Sequence, residues 1–278
     1  MKKLSFLLSS VLLLSFSLSA QQIPQNTKIP ATVNNVQPFL FSVNTLTAAA
    51  PAWGLQYSGS YGETALAPFG YNGVDQQLAV KGYLGNRFTL YANAALGFAR
   101  SDGGVTSAQQ AEVLRDVIGG KQLFGPRIGL GFGVSRDFTN VKSIFSRITA
   151  SFDAASWRFG GNMRFEKAFD RNRDNIDLIS SAGFHHRIYK QFFGGVEAVG
   201  EDLEGFWEAD EAEGGAKLLV GPSINLMPQG SRFSFSLCGG PIFYATKSSV
   251  IPSEAVRDLA ASRNGYTVRA QVAFNLHP

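Results

Sequence analysis

The sequence has a single cysteine, Cys238, and three histidines in 278 residues. A lone thiol closes no internal disulfide, so no bridge framework holds this chain together. Charged residues are sparse at 17%, against roughly a quarter in an average soluble domain. After residue 20 no apolar run reaches eighteen residues, which excludes a transmembrane helix. Phosphate loops, nucleotide fingerprints and Cys/His metal spacings are all missing, so no cofactor and no metal is expected. The formal charge of +4 and pI of 9.2 look basic. Removing residues 1–20 takes away two lysines and no acids, which leaves +2. No nucleic-acid partner follows from that balance.

Residues 1–20, "MKKLSFLLSSVLLLSFSLSA", have the layout of a cleaved secretory signal peptide. Two lysines precede an apolar stretch from Leu4 to Leu18, and small residues follow. Both Ser17-x-Ser19 and the Ala20/Gln21 junction fit as cleavage points. No cysteine follows directly, so lipid anchoring is not expected. Residues 21–50 are polar with scattered prolines and read as an extended lead-in, and residues 51–278 read as the folded body.

That body is rich in phenylalanine and glycine, with 23 and 30 residues, and it alternates. "FTLYANAALGF" sets Phe88, Leu90, Ala92, Ala94, Leu96 and Phe98 against Thr89, Tyr91 and Asn93. "RIGLGFGVS" sets Ile128, Leu130, Phe132 and Val134 against a column of glycines. Strict alternation is the signature of a strand with one apolar face. Eleven such segments, each near ten residues, follow one another from Trp53 to the C-terminus. Soluble sandwich strands are usually shorter, whereas strands of this length cross a bilayer when tilted.

Two segments break the period. In "SAQQAEVLRDVIGG", Ser107 and Gln110 have capping-box spacing, and Ala111, Leu114, Val117 and Ile118 recur at helical spacing. In "PSEAVRDLAASRNG", Ser253 is the cap, with Val256, Leu259 and Ala260 on one side. Both predict short helices in long connections, packed on a rim or folded inward as partial plugs.

The last residues, "NGYTVRAQVAFNLHP", form the most regular strand in the chain. A barrel has no edge, because its last strand pairs with its first, and a bilayer tolerates no unpaired backbone groups. The expected fold is therefore an all-β transmembrane antiparallel barrel of about twelve strands, ten being the alternative, with two short loop helices. Counting from the N-terminus makes Asn86-Arg87 and "DFTN" (137–140) inner turns. Counting from the C-terminus makes "MPQGS" (227–231) and Tyr189-Lys190 inner turns. The two counts differ by one strand between about 100 and 190, which twelve strands resolve if one is hidden there.

At this point the chain resembles bacterial outer-membrane β-barrel proteins as a broad class, in the manner of porins and transporters. The resemblance implies an outer-membrane location, contact with outer-membrane lipid, and handling by the assembly machinery that reads a terminal strand. Phe274 stands four residues short of the end, and the chain finishes Leu276-His277-Pro278. That departs from an aromatic at the terminus.

With the apolar column facing lipid, the other column faces the lumen. It carries Lys81, Arg147, Arg158, Arg164, Arg187, Lys217 and Arg269 against Glu166, Asp177 and Glu197. A wall of one sign concentrates counter-ions, so an open lumen would pass or bind a small anionic solute. Against this stands a structural or assembly-partner barrel whose lumen is filled by ion-pair ladders. A third reading is a lipid-modifying enzyme using His185 or His186 with Ser180 or Ser181, but no motif supports a catalytic set. The stretch "EDLEGFWEADEAEGG" (201–215) lacks calcium-loop spacing and reads as a solvated outer loop with Phe206 and Trp207 at the interface.

Overall fold

The computed structural model describes residues 38–62, 71, 73–98, 104–170, 176–206, 216–228, 230–244 and 265–276. Twelve strands run in order: β1 (Trp53–Gly62), β2 (Gly73–Gly85), β3 (Phe88–Phe98), β4 (Val105–Ile118), β5 (Gly125–Arg136) and β6 (Lys142–Asp153) come first. They continue as β7 (Trp157–Ala168), β8 (Asp177–Tyr189), β9 (Phe192–Glu201), β10 (Lys217–Leu226), β11 (Phe233–Tyr244) and β12 (Gly265–Asn275). Every strand is antiparallel to its sequence neighbours, and β12 pairs with β1 to close the barrel. The closing register runs from Gly54 opposite Asn275 to Gly62 opposite Thr267. The regular tail is therefore half of the seam. No described helix is long and apolar enough to cross a membrane.

The outer wall carries the apolar column. Leu78, Leu96, Leu130, Phe132, Ile148, Phe184, Phe235 and Val268 are all exposed there. A continuous apolar belt of this kind is stable only against lipid, because water would charge for every square ångström of it. Tyr57, Tyr61 and Tyr266 also face outward.

The segment expected to be a helix from Ser107 is instead most of β4. It pairs residue by residue with β3 from Phe88/Arg115 to Phe98/Val105, and with β5 on its other side. Ala108, Gln110, Glu112, Leu114 and Asp116 point inward, while Ala111, Val113 and Val117 point out. Its helical spacing and cap are real local preferences. An exposed gap between β3 and β5 would leave two strand edges unpaired in lipid, and that cost outweighs propensity. This is the hidden strand. With it restored, 137–141 moves to the opposite end from Asn86-Arg87, so "DFTN" is not an inner turn. There the Asp137 carboxylate accepts from the Thr139 and Val141 amides, both at 2.9 Å. The helix expected at 253–265 lies outside the described residues up to Gly265, which opens β12.

The ends of the barrel differ. Asn86 and Arg87, with φ of 48° and 67°, make a two-residue hairpin turn, and Lys190, with φ of 42°, sits in another. Connections 119–124, 154–156 and 227–232 share this short-turn end with the start of β1. In membrane barrels that end is the periplasmic one.

Candidate functional site

The inner wall is polar and dense. Of the residues singled out in the sequence, Lys81, Arg147, Arg158, Arg164, Glu166, Asp177, Glu197 and Arg269 are buried on it. Lys217 is half-buried and paired with Glu201 at 3.2 Å. Arg147 Nε meets Glu112 Oε2 at 2.8 Å, and Arg164 Nη2 meets Glu166 Oε2 at 2.5 Å. Arg127 is paired with Asp153. Arg164 lies over the Phe145 ring at 3.8 Å.

The wall is not basic as a whole. Beside Lys81, Arg127, Arg147, Arg158, Arg164 and Arg269, the buried acids include Asp75, Glu112, Asp116, Glu166, Asp177, Glu197 and Glu201. Two of these acids, Glu112 and Asp116, sit on β4. Misreading β4 as a helix removed them from the inner column, which made that column look more positive than it is.

The lumen holds a further piece of chain. Residues 38–50 leave the start of β1 at the short-turn end and run inside the barrel as an irregular strap. Phe39, Leu40, Phe41, Val43 and Leu46 are all buried there. The inner wall reads the strap's main chain. Glu197 Oε2 accepts from the amides of Leu40 and Phe41 at 2.8 and 3.0 Å. Asn162 accepts from the Val43 amide at 2.6 Å and donates to the Val43 carbonyl at 2.7 Å, so one side chain satisfies a whole residue. Thr89 Oγ1 accepts from Leu46 N at 2.8 Å, and Arg127 Nη1 donates to the Thr45 carbonyl at 2.9 Å. Side-chain contacts complete the grip. Thr45 Oγ1 donates to Asp116 at 2.5 Å, Lys81 Nζ to Asn44 Oδ1 at 2.5 Å, and Ser42 to Ser181 at 3.0 Å.

Phe39 has a slot of its own. A Cβ on Gly160 would lie 2.7 Å from its ring, and a Cβ on Gly183 would lie 2.4 Å from it. The His185 ring closes the slot at 4.7 Å between centroids. Phe41 packs with Ile179, Val199, Leu219, Cys238 and Ile242, with Arg269 over its ring at 4.8 Å. Val43 packs with Ala79, Tyr91 and Leu114. Burying five apolar side chains is worth about 10 kcal/mol. Ordering the strap's backbone costs about the same, at roughly 1 kcal/mol or more per residue. The main-chain hydrogen bonds therefore tip the balance.

Between Leu40 to Val43 of the strap and the inner wall lies a small cavity of about 10 Å³, roughly one water molecule's worth. Its lining joins Leu40 to Val43 of the strap with Gln56, Ser58, Gln77, Asn93, Gln271, Arg147 and Arg269, and it contains no carboxylate. Arg147 Nη2 and Gln56 Nε2 are buried with no hydrogen-bond partner among the described residues.

The histidine pair is split by the strand pleat. His186 faces outward, whereas His185 faces inward with Nε2 at 2.8 Å from Ser223 Oγ, whose own partner is Glu197 Oε1 at 2.5 Å. The serines named with them are split as well: Ser181 holds the strap and Ser180 lies on the other face. In the acidic stretch, Glu201 pairs with Lys217 and Asp202 Oδ1 accepts from Leu178 N at 3.2 Å, while 207–215 lies outside the described residues.

Sequence reasoning missed the strap, and a signal was available. Tyr91, Leu114, Phe145, Phe193, Leu219 and Ile242 are apolar residues in the inward column. A lumen wetted throughout has no use for them; "PFLFSV" (38–43) supplies apolar partners to Tyr91, Leu114, Leu219 and Ile242, whereas Arg147 and Arg164 lie over Phe145, and Arg158 and Arg187 over Phe193.

No family model and no curated protein matches this chain. Solved structures do. The KdgM porin, in complex with disordered oligogalacturonate, superposes with a TM-score of 0.52 at 10% identity, covering 81% of this chain and 99% of that one. The NanC porin gives a TM-score of 0.54 at 11% identity, covering 80% of this chain and all of its own. At such identities the likeness concerns the fold, and the chain has the twelve-stranded barrel architecture of outer-membrane porins.

Proposed function

We propose that this protein is a bacterial outer-membrane channel for a small anionic solute, exported by its N-terminal signal and closed in this structure by its own strap. The observation that carries the reading is the small cavity between strap and wall, whose lining sets Arg147 and Arg269 among amides and hydroxyls and includes no carboxylate. The balanced charge of the wall as a whole argues for no preference. Selectivity is set where the passage is narrowest, because a low-dielectric constriction focuses the field of the nearest charges. Arg147 Nη2 and Gln56 Nε2, with no protein acceptor among the described residues, are the donors an anion would meet. The fold likeness to two porins is consistent with passage but names no solute for this chain.

Planar-bilayer recording tests this on barrels whose strap has been displaced, with a heat-modifiable gel band as proof of folding. Anion-selective steps are expected, and the reversal potential should move toward zero selectivity in Arg147→Gln with Arg269→Gln. Folded, strap-free barrels that never conduct would overturn the channel reading.

A further inference from the structure

We propose that the lumen is a binding site for an extended peptide, and that residues 38–48 are its tethered occupant. The wall contacts of the strap are those of a receptor with a peptide ligand, not those of a loop resting on its own fold. Four inner side chains, Glu197, Asn162, Thr89 and Arg127, address main-chain groups of the strap. They would serve any extended backbone threaded at that height. Two inward glycines on adjacent strands, Gly160 and Gly183, leave room for the Phe39 ring where any Cβ would meet it. The recognised ligand is therefore a short extended peptide with an aromatic residue four positions before the one clamped by Asn162.

A main-chain hydrogen bond ties the strap to the barrel backbone at its end, from Ala48 N to the Gly120 carbonyl at 2.9 Å. Elsewhere, side chains hold it. A segment held by side chains leaves without opening a strand ladder, so the barrel stays closed when the strap departs. The join to β1 is exposed at Ala48, Ala49 and Pro51. The tether can be cut there after folding. Opening of a channel on departure rests on the function proposed above, whereas the peptide site does not.

The experiment uses the full chain with a specific protease site inserted between Ala49 and Ala50, folded first and then cut. A fluorescent synthetic peptide of residues 38–48 is added in excess, and exchange is followed by anisotropy while conductance is recorded. The cut strap is expected to exchange with the labelled peptide, and removal of both should open conducting steps that the peptide blocks again. A peptide N-methylated at Val43, which lacks the amide that Asn162 accepts, should bind at least tenfold more weakly. Gly183→Leu should weaken binding of the normal peptide at least tenfold by filling the Phe39 slot. A cut strap that never exchanges would make the segment a fixed part of the core and overturn the proposal. So would equal binding of the normal, N-methylated and scrambled peptides, which would show greasy filling without a site. Exchange with specificity but without conductance would uphold the peptide site and sink the channel reading. Equal conductance before and after cutting and washing would uphold the channel and overturn the strap as its occupant.

Discussion

The two sides of the lumen hold the strap by different physics. On the β7–β9 side, the grip is shape and neutral hydrogen bonding around residues 39–43. A glycine-walled slot takes Phe39, and Asn162 takes both main-chain groups of Val43. The carboxylate that meets the strap there, Glu197, accepts from two amides and a hydroxyl. On the β2–β5 side, residues 44–46 meet Lys81, Asp116 and Arg127, set among the Arg147–Glu112 and Arg127–Asp153 pairs. Neutral contacts give the first half its specificity. The second half is a charge network, in which each group is costly to bury unless its partners stay in place.

That contrast predicts unequal responses to substitution. The largest effect belongs to the charged side. Glu112→Leu strands the Arg147 guanidinium in a buried site and should cost about 3–5 kcal/mol. It would be read as a drop in the temperature at which the folded gel band disappears, and an unchanged band would mean the pair is not a support of the fold. Asn162→Ala comes next. It leaves the Val43 amide and carbonyl without their partner and should cost about 1–3 kcal/mol, with loss of strap retention after cutting. Retention equal to the parent would remove Asn162 from the site. The smallest is Thr89→Val, which withdraws one acceptor from Leu46 N and should cost about 1 kcal/mol. If its effect exceeded that of Asn162→Ala, the two-sided description would be wrong.

A second comparison, β12 against β4, shows what a sequence exposes. In β12 the outward Tyr266, Val268, Ala270 and Val272 alternate with inward Thr267, Arg269 and Gln271 without exception. One face meets lipid and the other a polar lumen, so the residue types sort themselves. In β4 the outward column includes Gln109 and Arg115 and the inward column includes Leu114, which packs on Val43 of the strap. The alternation fails there because the inner environment is not water. It is another piece of the same chain, and Leu114 has the right character for that neighbour. The same cause hid Tyr91, whose inward position was legible but whose apolar partner was not.

Of the ten lumen residues named from alternation, eight are buried on the inner wall and Arg187 and Lys217 are half-buried, because the pleat of a strand fixes sides once one face is known to meet lipid. What they do there was not legible. Arg147 pairs with an acid 35 positions earlier, and Arg269 lies over a ring more than two hundred positions away. Neither distance leaves a periodic trace.

By itself the sequence determined the architecture: strand length, lipid-facing column and the closing role of the last strand. Each follows from the requirement that every backbone group be paired and that the outward column be largely apolar in a bilayer. Only the tertiary structure decided that the lumen is occupied and that its inner wall carries four further acids, Asp75, Glu112, Asp116 and Glu201. Both depend on which residues meet across the barrel interior. Such meetings are set by closure of the whole sheet around one segment, and no local run of residues encodes them.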